Sequence, residues 1–139
     1  MPELSKDQMD YIQKIGEAEL ERNNGNVDFA VKRLNELWED IPEPKYVYKE
    51  SYLVAWSMIE TALRTKNIEM MKEWMPHVFK ADPERYDNGD RELYAAQVEY
   101  ECGNMAKSYE YFDIAKKKSS GRCFRKCDKK YKEFYSNYK

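Results

Sequence analysis

Three short turns divide most of the chain into pairs of amphipathic segments, and this repetition constrains the fold more than any other feature. The turns lie at residues 25–26, 66–67 and 103–104, so they are spaced by 41 and then 37 residues. On both sides of each turn, apolar residues recur every three or four positions, which is the period of a helix with one buried face. Long alternating runs of β-branched residues are missing from the sequence. The pattern therefore predicts an all-α fold.

Equivalent positions after the three turns hold small or apolar residues, which indicates that the segments repeat in register. These positions lie five, nine and twelve residues after the turn: Ala30, Leu34 and Leu37; Met71, Met75 and Val78; Ser108, Phe112 and Ala115. Pro42 and Pro83 lie seventeen residues after the first two turns. A helix pair cannot cover its own apolar face, so neighbouring pairs are expected to stack.

The repetition predicts a single domain over residues 1–139 that holds three helix pairs. The pairs span about residues 5–42, 45–83 and 89–120, and a last helix spans about residues 122–138. In that last segment, Phe124, Tyr131 and Phe134 lie at helical spacing, with lysines and arginines on the other side. Such an amphipathic helix is expected to cover the open end of the stack.

The three pairs resemble the tetratricopeptide repeat (TPR), a helix–turn–helix unit of 34 residues. Besides the positions after the turns, the matching residues are Ala18 and Ala96 seven residues before the turn, the turn residues Gly25 and Gly103, and the closing prolines Pro42 and Pro83. The resemblance implies an all-α, TPR-like α-α superhelix of three helix pairs with a C-terminal capping helix.

The chain departs from the family pattern in its second pair and at the family's characteristic tryptophan. Lys66 replaces the turn glycine, and Met71 and Ile59 replace small residues. The tryptophan position holds Lys14, Ala55 and Glu92. The repeat is therefore a degenerate form of the pattern.

Proteins of this family usually bind partners along the concave surface that the first helix of each pair lines. By position, the resemblance implies nine partner-binding residues: Ile15, Glu19 and Arg22; Trp56, Glu60 and Leu63; Leu93, Gln97 and Tyr100. Some members clamp the acidic tail of a chaperone with a lysine and asparagines there, and this chain has other residues, so that activity is not implied. Trp56 and Tyr100 are the candidate anchors, because large aromatic side chains dominate interface energetics. The alternative is that both are core residues.

The residue patterns do not support catalysis, so we expect a protein that is not an enzyme and has no cofactor or metal. His77 is the only histidine, and a structural or surface role is expected for it rather than catalysis. Cys123 and Cys127 are four residues apart and could supply half of a metal site, but small core residues are the preferred interpretation. The carboxylates show no catalytic spacing, and the five glycines form no phosphate-binding loop.

The charge of the chain is distributed unevenly, and this asymmetry bears on partners rather than on the fold. From residue 116 onward, ten lysines or arginines stand against two acidic residues, a net charge of +8, and the preceding residues have a net charge of −10. An acidic body is expected to bind a basic protein. The most specific hypothesis is an immunity-type protein that binds and neutralises a basic toxin.

Two other functions stay open at this point. The chain could be an adaptor or scaffold protein of a larger assembly, and its oligomeric state is not determined by the sequence. The basic region from Lys116 to Lys132, which includes much of the basic C-terminal helix, could contact nucleic-acid phosphates. Since this region could instead be a solvated face of the capping helix or pair with acidic groups of the same molecule, nucleic-acid binding is not expected.

The sequence also predicts a location. No stretch approaches the roughly 20 apolar residues that a membrane span needs, and residues 1–10 lack the apolar segment of a signal peptide. The three cysteines are expected to be free thiols of a reducing compartment. We therefore expect a cytoplasmic protein with no membrane partner.

Overall fold

The structure is a computed structural model that describes residues 8–81, 89–125 and 127–138. All regular elements within these ranges are helical: α1 (Gln8–Asn23), α2 (Val27–Glu39), α3 (Lys49–Thr65), α4 (Ile68–Ala81), α5 (Asp90–Glu101), α6 (Met105–Ser119) and α7 (Lys129–Asn137). Short 3-10 helices, Lys45–Val47 and Arg122–Arg125, precede α3 and α7. The all-α prediction is confirmed for this part of the chain. Residues 5–7 and 82–83 of the predicted pairs lie outside the described residues.

The helices pack in consecutive pairs, as the sequence predicts: α1 with α2, α3 with α4, and α5 with α6. One compact unit, Met1–Pro83, contains the first two pairs, and a second, Glu84–Lys139, contains the third pair and α7. Within the first unit, α3 packs against both α1 and α2, so the second pair stacks on the first. The core of this unit lies between these helices and includes the fully buried side chains of Leu34, Val54 and Met71.

The three turns between paired helices have the same backbone geometry. Gly25, Lys66 and Gly103 adopt positive φ angles of 95°, 56° and 86°. The backbone N–H of the next residue, an asparagine each time, donates to the carbonyl oxygen five residues earlier, at N···O distances of 2.8, 2.9 and 2.9 Å. This bond closes a Schellman-type helix end, which depends on the left-handed residue before it. The alignment of the three pairs on their turns is therefore also a structural equivalence.

Equivalent positions of the three pairs are buried to the same degree. The residues seven before the turn and five after it are fully buried in every pair: Ala18 and Ala30, Ile59 and Met71, Ala96 and Ser108. In the third pair the two positions meet directly, because the Ser108 hydroxyl donates to the Ala96 carbonyl oxygen at 2.8 Å. These positions therefore mark where the two helices of a pair cross.

The C-terminal segment differs from the single helix predicted for residues 122–138. After the 3-10 helix Arg122–Arg125, α7 begins only at Lys129. The Asp128 carboxylate accepts a hydrogen bond from the backbone N–H of Lys130 at 3.2 Å, which makes Asp128 the N-cap of α7. Because aspartate is a favourable N-cap, a new helix starts there, although the apolar spacing continues from residue 124.

The apolar side of this C-terminal segment packs on the α5–α6 pair. Cys123 and Tyr131 are buried in one cluster with four side chains of the pair: Leu93, Ala96, Phe112 and Ala115. Phe124 and Phe134 pack against the same cluster while staying half-buried. The segment therefore covers an apolar face that the third pair cannot cover by itself, which is the role predicted for it.

The turn at Lys66 generates a prediction about stability. A non-glycine residue in the left-handed region raises the free energy of the folded state by about 1–2 kcal/mol. Glycine avoids this cost, but its greater freedom in the unfolded chain offsets part of the gain. We expect Lys66→Gly to raise the free energy of unfolding by about 0.5–1 kcal/mol in urea titrations. The matched control is Gly25→Ala at the equivalent φ of 95°, which should lower it. A Lys66→Gly variant that is less stable than the parent would contradict this account of the turn.

Candidate functional site

A groove of about 460 Å³ lies between α1 and α3 in the first unit. Eight residues line it: Ile12, Ile15, Gly16 and Glu19 from α1, and Tyr52, Leu53, Trp56 and Glu60 from α3. Their spacing of three or four residues places each set on one face of its helix. The groove therefore follows from the stacking of the second helix pair on the first.

The larger part of the groove is apolar and aromatic. The rings of Tyr52 and Trp56 pack edge to face with centroids 5.2 Å apart, and both side chains are half-buried. Opposite them, Ile15 is buried, whereas Ile12 is 37% exposed. At Gly16, a Cβ atom would meet nothing within 4 Å, so the groove is open over this residue. This part can hold apolar side chains of another molecule.

The other end of the groove is acidic and is built around a buried arginine. The side chain of Arg22 is 4% exposed and lies 3.9 Å from one carboxylate oxygen of Glu19 and 3.9 Å from one of Glu60. Its Nη1 donates to Thr61 Oγ1 at 3.1 Å, and its Nε donates to Asn23 Oδ1 at 3.3 Å. The two glutamates are more exposed than the arginine, at 38% and 29%. Solvent therefore meets the carboxylates rather than the Arg22 guanidinium, and it also meets the exposed Arg64, which pairs with Glu60 at 3.1 Å.

The structure brings together the predicted binding residues of the first two pairs. Ile15, Glu19, Trp56 and Glu60 line the groove, and Arg22 lies beneath its acidic end. Leu63, the sixth residue predicted in these pairs, is buried. For Trp56, the half-buried position in the groove is compatible with the predicted anchor role.

The predicted binding residues of the third pair lie in or against the core of the second unit. Leu93 and Gln97 are buried. Tyr100 packs edge to face on Tyr131 and Phe134, with both centroids 5.2 Å away. For Tyr100 the structure thus supports the alternative interpretation, a core role, because α7 covers it.

Sequence reasoning did not select four of the residues that line the groove: Ile12, Gly16, Tyr52 and Leu53. Ile12 and Tyr52 lie three and four residues before Ile15 and Trp56, on the same helix faces. Extending the predicted positions by one helical turn toward the N-terminus would have found them. The positions taken from the family resemblance did not include that turn.

His77 is held in an aromatic cluster of the first unit. Its Nδ1 lies 2.6 Å from the hydroxyl oxygen of Tyr46, and its ring centroid lies 4.8 Å from that of Trp38 and 5.0 Å from that of Trp74. Burial lowers the pKa of His77 below its usual 6.5, and the neighbouring Lys80 lowers it further. These contacts give the ring a packing role, as the sequence analysis expects.

The cysteines of the C-terminal segment also pack in the protein. Cys123 is buried in the core cluster, and Cys127 is half-buried against it. Burial raises the pKa of the Cys127 thiol to about 11, which disfavours the reactive thiolate. Within residues 8–81, 89–125 and 127–138, no group of three or more histidines, cysteines and carboxylates is placed to hold a metal ion.

Several basic residues of the C-terminal part pair with groups of their own unit. Lys117, Lys118 and Lys130 each place Nζ 2.8 Å from a carboxylate oxygen. The partners are Asp113, Glu92 and Glu101 in that order. Lys116 lies over the ring of Tyr135 at 5.2 Å from its centroid. Intramolecular pairing, one of the three interpretations of this basic region, therefore applies to these lysines.

Comparison with known proteins adds no assignment: no family model, curated protein or solved structure matches the chain. Among the helices described here, none combines the length and the apolar character required to cross a membrane.

The environment of His77 predicts a dependence of stability on pH. Because the folded chain holds the His77 pKa below 6.5, the unfolded chain binds more protons in the interval between the two values. The resulting contribution to stability is complete above pH 6.5 and is lost as the pH falls toward the folded pKa. We expect the free energy of unfolding to decrease between pH 7.5 and 5.5 more steeply in the parent than in His77→Gln, as measured by urea titration. Equal slopes in the two proteins would contradict the prediction.

Proposed function

We propose that the chain is a non-catalytic protein-binding module and that the α1–α3 groove is its binding site. The observation that supports this most directly is the half-buried aromatic pair Tyr52 and Trp56 beside an open space of about 460 Å³. A partner side chain placed there would be desolvated by rigid aromatic surface, which is how interface hot spots usually arise. His77 and Cys127 are packed rather than activated, so neither supports a catalytic alternative.

The proposal includes a finer assignment of the fold, a TPR-like superhelix of three helix pairs with a C-terminal capping segment. Its support is the common geometry of the three turns and the burial of the same two positions in each pair. In the family, the first helices of successive pairs line the binding surface. The groove described above lies between the first helices of the first two pairs.

The partner proposed for this groove is a basic protein. Both charged residues that line the groove, Glu19 and Glu60, are carboxylates, and the chain before residue 116 has a net charge of −10. Complementary charge favours and steers such an encounter. In its most specific form, the proposal is an immunity-type protein that covers and neutralises a basic toxin, acting in the cytoplasm.

The proposal predicts that partner binding depends on Trp56. Partners are obtained by native co-purification from the source cell and by pairing the chain with the product of the neighbouring gene. For a partner that binds at the groove, Trp56→Ala should weaken the affinity at least about tenfold in calorimetric titrations, since it removes the largest aromatic surface there. The variant's helicity and urea unfolding are measured first, to show that it is folded.

The matched control is Phe29→Ala on α2. Phe29 is 55% exposed and does not line the groove, so its removal takes away comparable aromatic surface at another place. Its affinity for the partner should equal that of the parent. If Trp56→Ala binds as well as Phe29→Ala, the groove is not the binding site.

A further inference from the structure

We propose that the exposed basic side of the C-terminal segment binds the phosphate backbone of a nucleic acid, whatever its base sequence. The segment consists of the end of α6, the 3-10 helix Arg122–Arg125 and α7, all within the second unit. The inference goes beyond the proposed function, because the α1–α3 groove belongs to the first unit. It follows from the cations that the fold leaves without carboxylate partners and from the side chains that surround them.

The fold neutralises only some of the basic residues of this segment. Lys117, Lys118 and Lys130 are held by carboxylates of the same unit. Five other cations are exposed and form no ion pair with a carboxylate of the described residues: Lys116, Arg122, Arg125, Lys129 and Lys132. We refer to these five residues as the basic surface. Intramolecular pairing, which argues against nucleic-acid binding, therefore does not extend to them.

The cations of the basic surface lie on the sides of their helices that are turned away from the core. Residues three apart in a 3-10 helix share one side, so Arg122 and Arg125 lie together, whereas Cys123 is buried. On α7, Lys129 and Lys132 are one turn apart on the exposed side, whereas Tyr131 is buried. Each pair is separated by about 5–6 Å along its helix axis, so one backbone strand can contact both members.

Two contacts position cations of the basic surface without neutralising them. Arg122 Nε donates to the carbonyl oxygen of Ser119 at 3.0 Å. Lys116 Nζ lies 5.2 Å from the ring centroid of Tyr135. A carbonyl group and an aromatic ring carry no formal charge, so both side chains stay cationic. The exposed acidic residues of the segment are Asp128 and Glu133, so the cations of the basic surface exceed them by three.

The basic surface lacks the apolar anchors that a protein interface or a membrane site usually needs. Protein interfaces depend on large, mostly aromatic anchors, and stable membrane attachment needs apolar insertion besides basic residues. Among the described residues, no large exposed apolar side chain follows Ile114, which lies two residues before Lys116 and on another face of α6. Phe124 and Phe134 pack against the core. Phosphate contacts alone are sufficient for non-specific nucleic-acid binding, so this partner fits best.

The tyrosines beside the basic surface are packed on one another rather than presented to bases. Tyr109 stacks on Tyr135 and on Tyr138, with centroids 5.0 Å apart in both pairs. Phe134 packs on Tyr138 at 5.3 Å. Base stacking on exposed aromatic rings, which many single-strand-binding proteins use, is therefore not part of the inference. Contacts to phosphates carry no sequence information, so the binding is expected to be independent of sequence.

The test is a fluorescence-anisotropy titration of a labelled oligothymidylate with the full chain at two concentrations of KCl. We expect a Kd of micromolar order at the lower salt concentration. Contacts with three to five phosphates of a single strand give a slope of log K against log salt of about −2 to −3.5. The affinity should therefore fall about 15- to 100-fold between 50 and 200 mM KCl. A strand of mixed sequence should show the same slope.

The double variant Lys129→Gln and Lys132→Gln removes two cations of the basic surface. It should reduce the magnitude of the slope by about 1.4, because two fewer phosphates are contacted. The matched control is Lys32→Gln with Lys72→Gln, two exposed lysines of α2 and α4 in the first unit. The control changes the net charge equally and should keep the parent's slope. The helicity of both double variants is measured first, to show that they are folded.

Three results would overturn the inference. The first is no binding at 50 mM KCl up to about 100 µM protein, well above the Kd of ordinary non-specific binding. The second is an equal slope for the Lys129→Gln, Lys132→Gln variant and its control. The third is tighter binding at equal ionic strength to phosphatidylserine vesicles or to polyglutamate, which would assign the basic surface to a membrane or to an acidic protein.

Discussion

The first unit depends on the packing of its second helix pair against the apolar face of the first. The α1–α2 pair leaves an apolar face exposed, and α3 packs against both of its helices. The contact has a polar centre, in which buried Arg22 donates to Thr61, whose own hydroxyl donates to the carbonyl oxygen of Ser57 at 2.8 Å. A buried charge is tolerated only when it is hydrogen-bonded and paired, so these contacts specify how α1 and α3 meet. The groove is the solvent-facing edge of the same contact.

The second unit repeats this arrangement with a different covering element. Tyr100 lies three residues before its turn, as Arg22 does, and Glu101 lies two residues before it, as Asn23 does. Where Arg22 and Asn23 bind Thr61 and Arg64 of α3, Tyr100 packs on α7 and Glu101 accepts hydrogen bonds from it. The donors on α7 are Lys130 Nζ at 2.8 Å and the Tyr131 hydroxyl at 2.6 Å. Thus α7 contacts the end of α5 in the same way as α3 contacts the end of α1. Through these contacts, a helix of only nine residues can cover the apolar face of the third pair.

The parts of the structure that could be predicted from the sequence are those with local causes. The turn residues and the apolar spacing determine each helix pair within about 40 residues, so the pairs and their register follow from the pattern. The start of α7 was predicted too early because helical spacing continues across a segment in which the N-cap Asp128 starts a new helix. Backbone hydrogen bonding decides whether one helix continues through this segment or a new helix begins, and apolar spacing carries no information about it.

The candidate site could be predicted only in part, because burial depends on distant segments. Trp56 and Tyr100 are both aromatic residues on the first helix of a pair, and the sequence gives no means to separate them. The difference arises because α7 packs on Tyr100, whereas Trp56 lies in the groove. The burial of Arg22 is still harder to predict from the sequence. An arginine is expected at the surface, and Arg22 is buried because it donates to Thr61, which is 39 residues away in the chain.

Arg22 also links the stability of the stack to the chemistry of the groove. Two carboxylates at one end of a groove repel each other, and two arginines offset that repulsion: the buried Arg22 beneath both carboxylates and the exposed Arg64, which pairs with Glu60 at 3.1 Å. Since the Arg22 guanidinium donates to Thr61 in the contact between the pairs, the acidic end exists only where α1 and α3 are stacked. The apolar end has the same dependence, because one of its walls comes from each helix. Neither end could be formed by one helix pair alone, so any recognition at this groove is a property of the stacked pairs.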